Sequence, residues 1–398
     1  MKRIGIDVSC LANEQKTGIG VYCFNLIDNL LKIDKKDKFI LFAITPLDCQ
    51  NKDINYFKKY PNVEIKIIKL PVQLFRRLFL LWQKLEWPTI ETFIGKVDIF
   101  HSFNLFLPPQ KSGKRVATFY DLSSIIYPEF HKRGTTQLDN LRFKRMVKVC
   151  DLILTISQFS KNEFLKKWPK KWVEVIYPGV REVFDQKISE TESDKVLKKN
   201  NLEKGYFLFV GTLEPRKNVE NLIKAFSLQL SAFRQKQKGL TTDSEAILIT
   251  DDSKLIIVGA SGWSNEGVYD LPKKLGVGDR VRFLDFVSDK ELVILYKNAL
   301  CLVYPSIYEG FGLPVVEAFS MGIPVITSNT ASLAEIGKNA AFLVDPLDTI
   351  KIASGMKKVF IDTRLRNSLI KKGKMKVKEF SWVEGAKQLL KYYYLLSD

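Results

Sequence analysis

Short apolar runs rich in β-branched residues alternate with longer amphipathic stretches along nearly the whole chain. In the first half, the apolar runs occupy residues 3–8, 39–44, 63–70, 97–101, 115–119, 152–156 and 173–177. Helical patterns lie between several of them, for example over 20–31 and 135–149. Runs that are apolar on both faces and are separated by helices predict a parallel sheet with helices on either side.

This alternation occurs a second time after a polar stretch. The later apolar runs lie at 206–210, 254–259, 281–284, 301–304, 324–327 and 341–344. The fold class that we predict is therefore α/β, with two Rossmann-like doubly wound domains that face a cleft. Ligands of such sheets bind beyond the carboxyl ends of the strands.

The same pattern gives the predicted domain boundaries. The first domain covers 1–185, the polar stretch 186–204 is a linker, and the second domain covers 205–380. The tail 381–398 has one apolar helix face, formed by residues 382, 383, 386, 389, 390, 393 and 396. Because such a face must pack on something, we expect this C-terminal helix to cross back to the first domain.

The chain is strongly basic, and its charge is unevenly distributed. It has 398 residues, with 62 Lys and Arg against 44 Asp and Glu, for a net charge of +18. That excess suggests an anionic partner, such as nucleic acid, a membrane surface or a phosphorylated substrate. Residues 1–200 carry +13, residues 201–350 carry −3 and residues 351–398 carry +8. A nucleic-acid-binding protein is the weakest alternative, since it would need a continuous basic groove with interleaved aromatic residues.

The composition also argues against several kinds of site. Five widely spaced cysteines and two histidines do not fit a disulfide scaffold or a multi-histidine metal site. No D-x-D triplet occurs, so we expect no metal cofactor. No apolar stretch approaches the ~18–20 residues of a membrane span. We therefore expect a cytoplasmic protein, with peripheral attachment to the inner face of the plasma membrane as a further expectation.

The segment 308–327, YEGFGLPVVEAFSMGIPVIT, is the most informative stretch for chemistry. Glu309 and Glu317 stand eight positions apart, before and inside a predicted helix that begins near Pro314. Gly310 and Gly312 leave backbone amides accessible to a ligand. Two carboxylates beside exposed amides suit the hydroxyl groups of sugars and of ribose.

Two further turns follow predicted strands. In 209–226, FVGTLEPRKNVENLIKAF, the strand ends at Gly211, and Arg216 and Lys217 lie where the turn leads into a helix, which predicts a diphosphate site. In 16–25, KTGIGVYCFN, Gly18 and Gly20 allow a loop to approach a phosphate. A dinucleotide fingerprint would need glycine at Cys23, so an oxidoreductase does not fit.

These motifs together resemble the retaining glycosyltransferases of family four, which have the GT-B fold. The matching segments are TGIGVY, GTLEPRKN, LIIVG, EGFGLPVVE, GIPVITSN and SLAEIG, in the order of the family over nearly the whole chain. TGIGVY and the stretch DIFHS…FYDLSSIIYPE most resemble the branch of bacterial polysaccharide mannosyltransferases.

The resemblance implies roles for the matching residues. Arg216 and Lys217 would bind the donor diphosphate and stabilise the leaving phosphate, and Glu317 would hold the ribose hydroxyls. Glu309 would orient the donor sugar, together with backbone amides. The remaining donor-binding candidates are Gly18, Gly20, Gly211, Phe311, Gly312, Leu313, Ser332 and Leu333.

One segment departs from the family pattern. In FYDLS, Tyr120 stands where the family usually has a histidine before the aspartate, here Asp121, which we retain as a catalytic candidate. Tyrosine is a poor proton acceptor near neutral pH. Either catalysis needs no base at this position, or the donor or acceptor differs. His101 lies at the end of a predicted strand, and the sequence leaves two interpretations: a structural, hydrogen-bonded histidine or a residue near the cleft.

The function expected from the resemblance is retaining, metal-independent transfer of a hexose from a nucleotide-diphosphate sugar. GDP-mannose is the best guess for the donor, and a glycan or lipid-linked molecule of cell-surface polysaccharide synthesis is the expected acceptor. The segment 73–87, QLFRRLFLLWQKLEW, predicts a basic amphipathic helix that would dock on an anionic membrane. An epimerase-like GT-B enzyme that acts on nucleotide sugars is the alternative.

Overall fold

The computed structural model describes residues 1–398 except 13–16, 72–80, 83–84, 106, 133, 238–249, 251, 264–266 and 397–398. The chain divides into two compact units. The first comprises Met1–Gly179 together with Ser381–Asp398, and the second comprises Val180–Phe380.

Seven strands of the described residues form one parallel sheet in the first unit, in the order β3-β2-β1-β4-β5-β6-β7. They are β1 Arg3–Asp7, β2 Lys38–Thr45, β3 Val63–Lys69, β4 Ile99–Ser102, β5 Lys114–Phe119, β6 Leu152–Thr155 and β7 Val173–Val175. The helices of this unit are Gly18–Ile33, Lys52–Tyr56, Glu91–Ile94, Ser123–Ile126, Thr135–Val149, Gln158–Lys167 and Trp382–Leu395. Short 3-10 helices lie at Ser9–Leu11, Phe57–Lys59 and Pro128–Phe130.

Six strands of the described residues form the parallel sheet of the second unit, in the order β10-β9-β8-β11-β12-β13. They are β8 Tyr206–Val210, β9 Leu255–Val258, β10 Val281–Leu284, β11 Ala299–Tyr304, β12 Val325–Ser328 and β13 Phe342–Val344. The helices are Glu190–Lys199, Val219–Gln237, Leu271–Lys274, Asp289–Asn298, Leu313–Met321, Ala331–Gly337, Thr349–Ile361 and Thr363–Lys376. Its 3-10 helices are Glu182–Asp185, Pro215–Lys217 and Val377–Glu379.

The predicted fold class of two parallel-sheet α/β domains is confirmed, and every apolar run named above overlaps one of these strands. The sequence predicts these strands because both of their faces are buried, which leaves nearly continuous runs of Val, Ile, Leu and Phe. None of the described helices is both long enough and apolar enough to span a membrane.

The polar stretch 186–204 lies inside the second unit. Its helix Glu190–Lys199 begins with a capping box, in which Ser189 and Glu192 satisfy each other's backbone amides. Leu197 is buried, and Ser193 accepts a 2.8 Å hydrogen bond from the Asn298 amide. Few apolar residues are needed at this short contact, which is why the sequence pattern indicates a linker.

The C-terminal helix Trp382–Leu395 belongs to the first unit, where it covers the sheet face beside the helix Gly18–Ile33. The ring of Trp382 packs edge-on against Tyr22, with 5.7 Å between centroids. Deeper in, the Tyr393 hydroxyl lies 2.6 Å from His101 Nδ1, and Thr118 Oγ1 lies 2.9 Å from His101 Nε2. His101 is therefore a buried, hydrogen-bonded core residue.

We predict that His101 makes the free energy of unfolding depend on pH. Burial lowers the pKa of His101 to about 3. The folded state therefore keeps the ring neutral, while the unfolded chain takes up a proton below its ordinary pKa of 6.5. The stability contributed above pH 6.5 should be lost as the pH falls toward 3, by about 2 kcal/mol between pH 6.5 and pH 5.

Urea unfolding from pH 7.5 to pH 5 measures this slope in the wild type, His101→Gln and Tyr393→Phe. His101→Gln should flatten the slope. Tyr393→Phe should keep it, because the imidazole stays buried, while losing about 1–3 kcal/mol at every pH through the missing hydrogen bond. Equal slopes in the wild type and His101→Gln would contradict the prediction.

Candidate functional site

The strand order of the second sheet reverses between β8 and β11, which lie side by side at its centre. Connections from the two strands leave toward opposite sides, so a crevice opens beyond their carboxyl ends. β8 ends at Val210 and leads to Arg216 and Lys217, while β11 ends at Tyr304 and leads to Glu309. The topology therefore brings the two most informative sequence segments to one edge of the sheet.

The turn after β8 is held in place by its own backbone and by Asn218. Gly211 has a φ of +155°, and its carbonyl occupies the space where a side chain on Gly259 would stand. Asn218 adopts the left-handed conformation, with a φ of +62°. Its buried side-chain amide donates to the carbonyls of Pro305 and Pro346 at 3.0 and 2.5 Å. The turn is thus tied to the loop that follows β11.

Lys217 is buried, and two groups from the neighbouring connection compensate its charge. Its Nζ lies 2.5 Å from Glu309 Oε1 and donates to the Tyr304 hydroxyl at 2.7 Å. Tyr304 in turn donates to Glu309 Oε1 at 2.9 Å. The three side chains form a closed triangle at the end of β11.

Arg216 engages the second oxygen of the same carboxylate. Its Nη1 lies 2.7 Å from Glu309 Oε2 and also donates to the Tyr308 carbonyl at 3.2 Å. Its Nε lies 2.6 Å from Glu214 Oε1. Each oxygen of Glu309 therefore pairs with a different cation, and the arrangement holds both cations at one point.

The pKa values follow from this arrangement. Burial raises the pKa of Glu309, but the charges of Arg216 and Lys217 and their hydrogen bonds outweigh it and lower the pKa to about 2. Burial also lowers the pKa of Lys217, and the charge of Arg216 adds to this effect while Glu309 opposes it. Glu309 is therefore ionised at neutral pH, and its charge favours the cationic form of the buried lysine.

The loop after Glu309 is fixed by the helix Ala331–Gly337. Ser332 Oγ lies 2.8 Å from the carbonyl oxygens of both Glu309 and Phe311, to either of which it can donate. Gly312 has a φ of +114°, and a Cβ there would lie only 2.5 Å from Leu333 Cδ2. Because only glycine fits there, Ser332 and Leu333 stabilise the conformation of this loop. The donor-binding role predicted for Ser332 and Leu333 stays a prediction.

Glu317 forms a second charged group, separate from the first. Gly312 caps the helix Leu313–Met321, so the Gly312 and Leu313 amides lie at its positive end. Glu317, in the second turn, accepts from Arg181 Nε and Nη2 at 3.1 and 3.0 Å on Oε1. Its Oε2 accepts from the Tyr296 hydroxyl at 3.1 Å. Arg216, Lys217 and Glu309 thus touch one another, whereas Glu317 pairs with other residues.

The remaining candidates lie in the first unit. Thr17 caps the helix Gly18–Ile33 by accepting from the Gly20 amide at 3.3 Å, and Gly18 stands exposed at its start. Asp121 accepts from the amide of Ser123, the first residue of the helix Ser123–Ile126, at 2.8 Å. These contacts are structural, and the ligand roles predicted for the three residues stay predictions.

Tyr120, which precedes Asp121, packs edge-on against Tyr22 with 5.9 Å between ring centroids. Its hydroxyl is buried and has no hydrogen-bond partner among the residues that the structure describes, and burial raises the pKa of Tyr120 far above its ordinary value. A hydroxyl in this state can donate a hydrogen bond but does not accept a proton as a base would.

Sequence reasoning missed Tyr304, Glu214 and Arg181 as members of these groups. Glu214 lies inside the segment 209–226, in the turn before Arg216, and Tyr304 is the last residue of the apolar run 301–304. Its position at a strand end is a signal that would have found Tyr304. Arg181 lies 136 residues before its partner Glu317, so no local pattern connects the two.

Comparison with known proteins identifies the family of this chain. The family profile "Glycosyl transferases group 1" matches residues 190–376, which contain every charged residue of the site except Arg181. O-antigen chain mannosyltransferase B of Escherichia coli is 32% identical over 307 residues, which cover 75% of this chain and 74% of that protein. O-antigen chain mannosyltransferase RfbU of Salmonella typhimurium is 32% identical over 249 residues, covering 61% of this chain and 60% of that protein.

Solved structures share the fold at lower identity. Sucrose-phosphate synthase from Thermosynechococcus elongatus superposes with a TM-score of 0.75 at 19% identity, covering 100% of this chain and 99% of that one. HepE from Anabaena, in complex with UDP-glucose, has a TM-score of 0.69 at 18% identity, covering 98% and 99%. With the fold, the site and the identity to the O-antigen mannosyltransferases in agreement, this chain belongs to the group 1 glycosyltransferases and has the GT-B fold.

Proposed function

We propose that the chain transfers a hexose, with mannose from GDP-mannose as the first choice, from a nucleotide-diphosphate sugar to a glycan or lipid-linked acceptor. The product would belong to a cell-surface polysaccharide. The observation that carries the proposal is the pairing of Arg216 and Lys217 with Glu309 at the carboxyl ends of β8 and β11. Mannose is supported by the names of two relatives that are 32% identical.

In the proposed reaction, the bond between the anomeric carbon and the diphosphate oxygen breaks, and negative charge grows on the diphosphate. Arg216 and Lys217 would stabilise that charge, aided by the amides at the start of the helix Leu313–Met321. A bound diphosphate would draw the two cations away from Glu309. The carboxylate would then accept hydrogen bonds from hydroxyls of the donor sugar.

Retention of the anomeric configuration would follow attack on the same face that the diphosphate leaves. The acceptor hydroxyl would form the new bond to the anomeric carbon and pass its proton to the leaving phosphate. Such a route needs no protein base, which suits a chain with Tyr120 before Asp121. The proposed reaction uses no metal, since the two cations of the site supply the positive charge.

For the donor nucleotide, we expect GDP to raise the melting temperature and UDP to leave it nearly unchanged. At 100 times the dissociation constant a ligand adds about 2.7 kcal/mol of stability, which corresponds to a shift of several degrees. Thermal unfolding with each nucleotide at equal concentration measures this. Stabilisation by UDP alone would contradict GDP-mannose as the donor and leave the diphosphate site intact.

For the charged cluster, substitutions of the cations and of the carboxylate should have opposite effects on nucleotide binding. Lys217→Gln should weaken binding of the free nucleoside diphosphate and reduce transfer by ~10²–10³-fold, because a donor to the leaving group is lost. Glu309→Gln should also reduce transfer. However, it should tighten binding of the free diphosphate by ~5-fold. The glutamine would no longer compete with the diphosphate for Arg216 and Lys217, a difference of about 1 kcal/mol in binding free energy.

Titration calorimetry with the nucleotide and a transfer assay with labelled donor give the two readouts. Lys199→Gln is the matched control, because Lys199 also pairs with a glutamate, Glu291 at 2.7 Å, but is 68% exposed. It should change neither readout. Weaker diphosphate binding in Glu309→Gln, with the fold intact by circular dichroism, would contradict the proposed exchange of partners.

We also propose that the chain docks on an anionic membrane through the segment 73–87. Most of this segment, including Arg76, Arg77 and Lys84, lies outside the described residues. The described part carries apolar side chains that stand in solvent: Leu81, Leu85 and Trp87 are 50%, 61% and 73% exposed. Exposed apolar groups beside basic residues suit the interface of an anionic membrane.

Sedimentation with phosphatidylglycerol vesicles tests the docking. Changing Arg76, Arg77 and Lys84 to glutamate should weaken partitioning at least ~100-fold, since each basic residue near the surface contributes about 1 kcal/mol. The matched control changes Lys195, Lys371 and Lys372 to glutamate. These three lysines are exposed residues of the second unit, and the control alters the net charge by the same amount as the test variant. Equal partitioning of the two triple variants would contradict docking by this segment.

A further inference from the structure

Arg181 makes the most extensive set of charged contacts around Glu317. It precedes the 3-10 helix Glu182–Asp185 and is the second residue of the second unit. Its side chain is 14% exposed, and all three guanidinium nitrogens are engaged by carboxylates. Nε and Nη2 meet Glu317 Oε1, while Nη1 lies 2.7 Å from Asp289 Oδ1. The guanidinium carbon also stacks 5.0 Å from the centre of the Phe184 ring.

This geometry leaves Glu317 with limited acceptor capacity in a defined direction. An ionised carboxylate offers about four lone-pair positions. Arg181 takes two of them on Oε1, and the Tyr296 hydroxyl takes one on Oε2. One position on Oε2 remains, and its direction is fixed because Arg181 and Tyr296 hold the carboxylate from both sides. A hydroxyl donor can therefore bind Glu317 while both protein partners stay in place.

The planar fork of arginine is required for this arrangement. It reaches Glu317 through two nitrogens and Asp289 through the third, so the cation is shared between two helices. A lysine at this position would offer a single charged nitrogen and could not maintain the same set of contacts. Without any cation here, Glu317 would lose both donors on Oε1 and gain freedom to rotate.

We propose that Arg181 is a positioning residue that orients Glu317 toward the ribose of the donor nucleotide and thereby sets the preference for ribonucleotides over 2′-deoxyribonucleotides. The inference rests on the proposed function, in which Glu317 accepts hydrogen bonds from the ribose hydroxyls. A site shaped to accept from a hydroxyl disfavours the analogue without it, because the buried acceptor is then left unsatisfied. Arg181 does not itself need to touch the nucleotide.

The test compares dissociation constants of each nucleoside diphosphate with its 2′-deoxy form, using GDP and dGDP, and UDP and dUDP, by titration calorimetry. The wild type should prefer the ribonucleotide ~10-fold or more, the size of a hydrogen bond to a charged group. Arg181→Gln should bring that ratio close to one, mainly by weakening the ribonucleotide. Arg181→Lys should restore part of the ratio.

Two further variants make the outcome specific. Arg366→Gln is the matched control, because Arg366 donates to the Val359 and Phe360 carbonyls in the same unit and pairs with no carboxylate of the described part of the chain. It should lower stability and keep the ratio, which separates positioning from general loosening of the unit. Glu317→Gln should abolish the preference and thus reports on the proposed role of Glu317 itself.

The experiment distinguishes failure of the inference about Arg181 from failure of the proposed role of Glu317. If Glu317→Gln loses the preference while Arg181→Gln keeps it, the inference about Arg181 is overturned and the proposed function stands. Tighter ribonucleotide binding in Arg181→Gln also overturns it, because Arg181 would then compete with the ribose. If Glu317→Gln keeps the preference, the ribose role of Glu317 fails, and the inference fails with it. Should Arg181→Gln not fold, Arg181→Lys carries the comparison, and an unchanged ratio in it overturns the inference.

Discussion

The site depends on one buried carboxylate that holds two adjacent cations. Glu309 pairs with Arg216 through one oxygen and with Lys217 through the other. Two neighbouring positive charges would repel each other in a buried place, and removing the carboxylate would leave both uncompensated. The opposite charges of the turn after β8 and of the connection after β11 therefore favour their contact, and the Asn218 amide ties the same two segments together.

Glu309 and Glu317 are both ion-paired, but their partners differ. Glu309 pairs with two cations, and in the proposed reaction a diphosphate would take these cations over. Glu317 pairs with Arg181 and Tyr296, which leave one acceptor position open and can stay in place when a hydroxyl binds. The block 201–350 carries −3 although it contains Arg216 and Lys217, and each of these cations has a nearby carboxylate.

Membership of the family does not by itself define the substrate. The relatives at 32% identity are O-antigen mannosyltransferases, whereas the solved structures below 20% identity include a sucrose-phosphate synthase and a UDP-glucose complex. The two solved structures share the fold of this chain, and a shared fold does not by itself fix the substrate. What differs must lie in side chains around the nucleotide and the sugar. Under our proposal Arg181 would be such a side chain, and it contacts Glu317 from outside the residues that the family profile matches.

The sequence alone determined the two sheets and the main site segments, because strands buried on both faces leave continuous apolar runs and because glycine, proline and glutamate recur at fixed local spacing. It also indicated Arg216, Lys217, Glu309 and Glu317, each within a short motif. Only the tertiary structure decided which of them meet. In the structure, both cations pair with Glu309 and Arg181 forms an ion pair with Glu317. The helix Glu190–Lys199 lies inside the second unit. These contacts join residues from about 90 to 136 positions apart, and ion pairs at such separations leave no periodicity in the chain.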